Sequence, residues 1–330
     1  MNLKKATCGL LACLLSVSFF GCSSEQTVEE RIVYMPDGAP ALSMAYLMKG
    51  DTETDGVTYK VVNPTLISTK VTATDESKNA DLCVLPLTAA SKLLGAGDKY
   101  QLVATLTHGN LYLISKTAGS YTKDNLSDLI GKTVGVLQIK EVPGLTFKTA
   151  LYNAQVPFKE LTTSETAVAD KVNLRPITSP ADMATVVADC YLLAEPAVTA
   201  QLKNYSIVGN LQEIYGVGGF PQAVLVAKKS LIATDSAFVT SFLQSVKQSC
   251  DNITSLDGAT LVQTVTAHLE DKSYSTTLKA PLLTEQTLLR CGVRYDGDPK
   301  EKVLAYLTSA KAVQSAITVP NDSFFWSANN

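Results

Sequence analysis

The stretch YMPDGAPALSMAYLMKG, Tyr34 to Gly50, sets two prolines, an aspartate and a glycine between a β-branched run, RIVY (31–34), and a helical run, ALSMAYLM (41–48). A Pro-Asp-Gly-Ala-Pro turn ends a strand abruptly, and Pro40 suits a first helical turn, where its missing N–H has no acceptor to lose. Strand therefore passes directly into helix. In an α/β protein that junction lies at the carboxyl edge of the sheet, where unpaired helix N–H groups collect and ligands bind. The alternation recurs in TYKVVNP (58–64) with a short helix after it, in ADLCVLPL (80–87) with TAASKLLGAG (88–97), and in YQLVATLTHGNLYLISK (100–116). Such a series predicts a parallel α/β sheet.

A second series follows. DNLSDLIGKTVGVLQI (124–139) predicts a capped helix and a strand, GLTFKTALYNA (144–154) a helix, and SPADMATVVA (179–188) a capped helix. DCYLLAEPAVTAQL (189–202) reads as strand into helix and YSIVGNL (205–211) as a strand; from Ser236 onward the chain is mostly amphipathic helix. The strands LYLISK (111–116) and AVLVAKK (223–229) look alike although far apart. With 330 residues and 46% hydrophobic content, two lobes can each bury a core. The expected fold class is an α/β two-lobed clamshell with two crossover strands and a ligand cleft between the lobes. Lobe I is expected at 31–120 and 217–330, and lobe II, inserted, at 121–216.

The amino terminus MNLKKATCGLLACLLSVSFFGCSS has a short basic start, an apolar run from Gly9 to Phe20, then Gly21-Cys22-Ser23-Ser24. It reads as a secretory leader over 1–21, too short in its apolar part to span a bilayer. Small residue then cysteine resembles the bacterial lipobox, with Phe19 and Phe20 standing where that pattern has Leu and a small residue; the other reading is an ordinary secretory signal with a chance cysteine. Under the lipobox reading Cys22 is lipidated, palmitate included, and 22–30 is a polar tether. Of seven cysteines, Cys83, Cys190, Cys250 and Cys291 lie outside leader and anchor. No pair has metal-ligand spacing, so no metal is expected. Disulfides are open to an exported protein, but apolar surroundings at Cys83 and Cys190 favour buried free thiols. The net charge of −3 becomes −5 without Lys4 and Lys5, and no basic tract appears, which argues against a nucleic-acid partner.

DGAPAL (37–42), NADLCVLPLTAASKLL (79–94), LSDLIGKTVGV (126–136), LLAEPAVT (192–199) and GFPQAVLVAKKSL (219–231) together resemble substrate-binding lipoproteins of bacterial ABC importers. More narrowly, they resemble the branch that binds nitrate, sulfonates, taurine and thiamine pyrimidine precursors. The resemblance runs through nearly the whole mature chain. It implies a type II periplasmic-binding-protein fold, a small-molecule solute, a membrane permease with a separate ATPase as partner, and no cofactor. It also implies a monomer held by its lipid at the outer face of the cytoplasmic membrane.

Candidate ligand contacts are the residues at strand-to-helix junctions. Gly38 and Ala39 leave backbone approachable, while Asp37 either accepts from a ligand or serves the turn. Asn63, Thr65, Pro86, Leu87 and Thr88 follow two further strands, Thr88 as ligand contact or cap. His108, Gly109 and Asn110 sit at a strand end facing the hinge, with His108 either donating to a ligand or standing exposed in the turn. Gly144, Leu145 and Thr146 open a helix in the inserted lobe, with Lys140 nearby as either an anion partner or a solvated lysine. Glu195 precedes Pro196 and reads a ligand amine or caps a helix. Phe220, in a glycine-rich return hinge at 216–222, is placed to stack on a ring. No Arg falls in a lobe I loop, which disfavours an oxyanion over a neutral or aromatic heterocycle, although Arg175 is within reach of the cleft.

No catalytic residue is assigned: paired histidines, a cysteine–histidine context, a GxSxG elbow and a phosphate loop are all missing. The expected function is a solute receptor. The alternatives are an enzyme on the same fold, like pyrimidine-precursor synthases or chorismate dehydratases, and a ligand-sensing envelope lipoprotein.

Overall fold

A computed structural model describes residues 30–50, 56–162, 164–216 and 219–326. The leader, Cys22 and nearly all of the tether lie outside the described residues. The chain runs through β1 (Arg31–Pro36), α1 (Ala39–Lys49), β2 (Val57–Val62), β3 (Leu82–Pro86), α2 (Leu87–Leu94) and β4 (Tyr100–His108). It continues with β5 (Leu111–Ser115), β6 (Thr133–Leu137), α3 (Val142–Asn153), β7 (Phe158–Glu160), β8 (Val172–Ile177) and β9 (Cys190–Ala194). Next come α4 (Ala197–Gln201), β10 (Ser206–Asn210), α5 (Leu211–Tyr215), β11 (Pro221–Lys228), α6 (Lys229–Thr234) and α7 (Ser236–Asp251). The last elements are α8 (Gly258–Ala267), α9 (Glu285–Arg290), β12 (Val293–Asp296) and α10 (Lys300–Val313).

Two six-stranded sheets result, β12-β4-β11-β3-β1-β2 and β10-β5-β9-β6-β8-β7. Each holds a parallel trio, β2-β1-β3 or β8-β6-β9, followed by one antiparallel strand, β11 or β5. The two look-alike strands thus occupy equivalent places, each lying antiparallel between its two neighbours. Both are nearly wholly buried, which is why both are continuous apolar runs. The architecture is the expected two-lobed α/β clamshell.

The passage between sheets falls at Gly109–Asn110, because β5 already pairs with β9 and β10. The expected boundary at 121 therefore does not coincide with the change of sheet. Three other local expectations shift. The segments at 126–129 and 180–184 are single 3-10 turns rather than helices, the second held by a capping box between Ser179 and Asp182. VRYD (293–296), at the end of a helical-looking run, is an edge strand on β4.

Helix α1 buries Ala41, Leu42, Met44, Ala45 and Met48 under α7 and α8, so it is apolar around most of its circumference. Helix α7 is amphipathic by contrast, with Val239, Phe242, Leu243, Val246 and Cys250 buried and Asp235 capping its start by accepting from the Phe238 N–H at 3.1 Å. One core covers the opposite face of the first sheet and continues into the second lobe, linking Leu85, Leu87, Phe220 and Tyr306 with Val136 and Leu145. Helix α10 makes that continuity. Although it follows a lobe I strand, it packs on α3, and the chain then returns to the first sheet, where Trp326 N–H donates to the Leu102 carbonyl at 3.0 Å.

Candidate functional site

The carboxyl ends of both parallel trios face one another around the crossings at 109–110 and 219–220, and the residues that follow these strands are the candidate site. Asp37, after β1, is buried and fully engaged. Its carboxylate accepts from the Tyr274 hydroxyl at 3.0 Å, the Thr276 hydroxyl at 2.7 Å, and the Thr277 N–H and hydroxyl at 2.7 and 2.9 Å. It ties the 274–277 segment to the end of β1, which is the turn-serving alternative. Gly38, at φ +102°, turns the chain into α1, and its carbonyl accepts from Leu42 N–H at 3.1 Å. The first α1 N–H groups, at Ala39 and Ala41, have no acceptor within their helix.

Asn63 and Thr65 serve their own turn: Asn63 Oδ1 accepts from the Thr65 N–H at 3.0 Å and hydroxyl at 2.9 Å. After β3, Leu87 is fully buried, and the Thr88 hydroxyl donates to Glu141 Oε2 at 2.6 Å. That bond spans the lobes, because Glu141 precedes α3 in the second. Gly144 has a structural reason to be glycine. A Cβ there would lie 2.3 Å from the Ile139 carbonyl oxygen and 2.4 Å from its Cα. The Leu145 N–H is already bound to the Glu141 carbonyl at 2.9 Å. The Thr146 hydroxyl contacts the Val142 carbonyl at 2.8 Å and the Tyr306 hydroxyl at 2.9 Å, docking α10. Lys140 pairs with Glu160 at 2.5 Å, and Arg175 donates to the Glu165 carbonyl at 3.1 Å.

Glu195, at the carboxyl end of β9, has a fully buried side chain paired with Arg290 of α9: Nε lies 2.7 Å from Oε1. Thr199 adds its N–H and hydroxyl, each at 3.0 Å, and Arg290 Nη2 reaches the Thr199 hydroxyl at 2.8 Å. Glu195 therefore caps α4, as one reading had it, and also joins the lobes. Phe220 is buried beneath α10, stacked on Tyr306 at 6.1 Å with Tyr215 edge-on at 5.5 Å. Its ring packs in the core at the second crossing, between Tyr215 and Tyr306.

His108 ends β4 with Nε2 3.8 Å from Asp296 Oδ2. Burial, reinforced by the Arg294 charge, lowers its pKa to about 4, so the ring is neutral at physiological pH. Among the described residues neither ring nitrogen has a hydrogen-bond partner, nor has Asn110 Oδ1. Gly109 accommodates Gln212, whose Cγ would lie 2.1 Å from a Cβ.

Sequence reasoning missed Arg290, Glu141 and Tyr306. Arg290 lies on a helix rather than in a loop, and Tyr306 in a region read only as amphipathic, so no local pattern marks either. Cys83, Cys190, Cys250 and Cys291 are unbridged and buried; burial raises the Cys250 thiol to about 12. A cavity of about 330 Å³ beside Lys99, Tyr100 and Lys228 lies at the amino edge of β3 and β4, on the far side of the lobe from these loops.

The fold defines a class, the two-lobed α/β clamshell. A match over residues 54–255 shows that the chain belongs to the NMT1/THI5-like family. Among solved structures, an ABC transporter protein from Parabacteroides distasonis is similar at TM-score 0.68 and 18% identity, over 91% of this chain and 99% of that one. The periplasmic aliphatic sulphonate binding protein SsuA from Escherichia coli is similar at TM-score 0.62 and 14% identity, covering 90% and 95%. A zinc-bound ligand binding component of an ABC-type import system from Staphylococcus aureus gives 0.59 and 15%, covering 90% and 96%. Compared by sequence with curated proteins, the chain matches none.

Proposed function

We propose that this chain is the solute-binding receptor of a bacterial ABC importer, capturing a small polar or heterocyclic organic solute between its lobes and delivering it to a membrane permease. The observation that carries the reading is the pair of sheets, each built on a parallel trio flanked by an antiparallel strand, whose carboxyl ends meet at crossings 109–110 and 219–220. That arrangement places loop backbone and helix starts from both lobes around one cleft. Family membership and the ABC-import neighbours support it. The charged side chains at the strand ends, Asp37, Lys140 and Glu195, are engaged by protein partners, which supports binding rather than acid–base turnover. A first lobe on either side of an inserted second one, with the passages between them at 109–110 and 219–220 rather than at 121 and 217, and the monomeric state belong to the same proposal. So does export with lipid attachment at Cys22, for which the GCSS sequence after an apolar leader is the support.

Thermal shift of the full chain in mild detergent tests the reading against nitrate, sulfonates, taurine, thiamine pyrimidines, nucleobases and flavins. A ligand of the folded state at a hundredfold excess over its Kd raises stability by about 2.7 kcal/mol. Hits recovered intact support a receptor, and chemical turnover of a hit overturns it in favour of an enzyme. Labelled palmitate incorporated by the wild type but not by Cys22→Ala tests the anchor.

A further inference from the structure

Gly109 and Asn110 carry the chain from the first sheet to the second, both with left-handed backbone, at φ +85° and +86°. For Gly109 the close approach of Gln212 explains the residue. For Asn110 the backbone favours glycine, with asparagine the best tolerated of the others. An asparagine in this conformation ordinarily gains from a hydrogen bond between its side chain and nearby backbone. Asn110 does not: it is 3% exposed and its Oδ1 has no partner among the described residues. Leaving a buried amide oxygen unmet is destabilising. Glycine would remove both penalties, so the side chain is retained at a loss to stability.

The backbone groups beside it are satisfied. The Asn110 carbonyl accepts from Glu195 N–H at 2.9 Å, and the next N–H, of Leu111, donates to Gln212 Oε1 at 2.9 Å. The first contact sets Asn110 where the carboxyl ends of β4 and β9 come together. Beside the crossing, on β11, Gln222 Oε1 is a second buried oxygen without a partner. The formal charges bordering this point, Glu195 and Arg290, neutralise each other.

We infer that Asn110 is a specificity-determining residue of the interlobe cleft, its side-chain oxygen accepting from an uncharged N–H group of the solute. The inference rests on the solute-receptor reading. An amide turned over exchanges Oδ1 and Nδ2, so the test includes a variant with acceptor oxygens only. The full chain, wild type and Asn110→Gly and Asn110→Asp variants, is titrated by calorimetry and thermal shift with cytosine and nicotinamide as uncharged N–H probes, and with ethanesulfonate and nitrate as anions. The expected result is stabilisation of the wild type by an N–H probe, about tenfold weaker binding in Asn110→Gly, and binding retained within about threefold in Asn110→Asp. Asn110→Gly should melt no lower than wild type when unliganded. Equal binding of the probe by wild type and Asn110→Gly, equal loss in both folded variants, or stabilisation by anions alone overturns the inference and leaves the receptor reading standing. No response to either probe class overturns the inference; failure of the receptor reading itself would show as silence across the wider ligand panel.

Discussion

Arg290 and Glu195 meet across the lobes, with the guanidinium Nε 2.7 Å from a carboxylate whose side chain is wholly buried. One residue ends a helix near the carboxyl terminus of the chain; the other ends a strand of the second sheet. Removing the cation leaves Glu195 with only the Thr199 donors. Arg290→Ala should lose about 3 kcal/mol in urea unfolding, and adding Glu195→Gln should restore part of that loss, because the uncompensated charge is then gone.

Asp37 gives a sharper test of ligand contact against architecture. Asn at this position turns an amide N–H₂ toward hydroxyl and N–H donors, so Asp37→Asn should destabilise the unliganded chain by about 2 kcal/mol. Thermal or urea unfolding without any ligand reads this directly. A residue serving only the solute would leave unliganded stability unchanged.

Gly144→Ala drives a Cβ into the backbone of Ile139, which cannot swing aside as a side chain would. A loss of about 2 kcal/mol or more is expected in the same unfolding assay. Gly119→Ala, with nothing within 4 Å of the added Cβ, should stay within about 0.5 kcal/mol of wild type.

His108 makes stability depend on pH with a definite sign. Its folded pKa, about 4, lies below the ordinary value of 6.5, so between these values the unfolded chain binds more protons. Stability is therefore fully present above about 6.5 and falls as the pH is lowered toward about 4, by up to about 3 kcal/mol. His108→Gln should flatten unfolding midpoints measured over that window. Carboxylates with lowered pKa, such as Glu165 at about 2, give their own loss at more acid pH.

The alternation of strand and helix was legible because buried parallel strands are continuous apolar runs and because Gly and Pro punctuate the junctions. The likeness of 111–116 to 223–229 was legible for the same reason, since equivalent strands in two sheets meet the same surroundings. The weaker signals failed where local pattern did not decide. VRYD is a strand only because β4 offers it an edge, and 126–129 is one turn, followed at once by Gly131 with left-handed backbone at φ +80°.

The candidate site was legible as a set of loops and not as a set of side chains. Position along the chain puts Asp37, Thr88, Asn110, Glu195 and Phe220 at strand ends, and those ends are set by periodicity and turn chemistry. Which of them are free is a matter of partners distant in sequence. Asp37 is taken by 274–277, Glu195 by Arg290, and Phe220 by Tyr306. Asn110 is left with an oxygen that nothing in the described chain satisfies. The sequence by itself determined the alternating elements, the two-sheet class and the loops at issue, because hydrophobic period and backbone stereochemistry act within a few residues. The passage between sheets at 109–110, the bridging place of α10 and the fate of each polar side chain came only with folding, because hydrogen bonds and ion pairs are closed by groups distant in sequence.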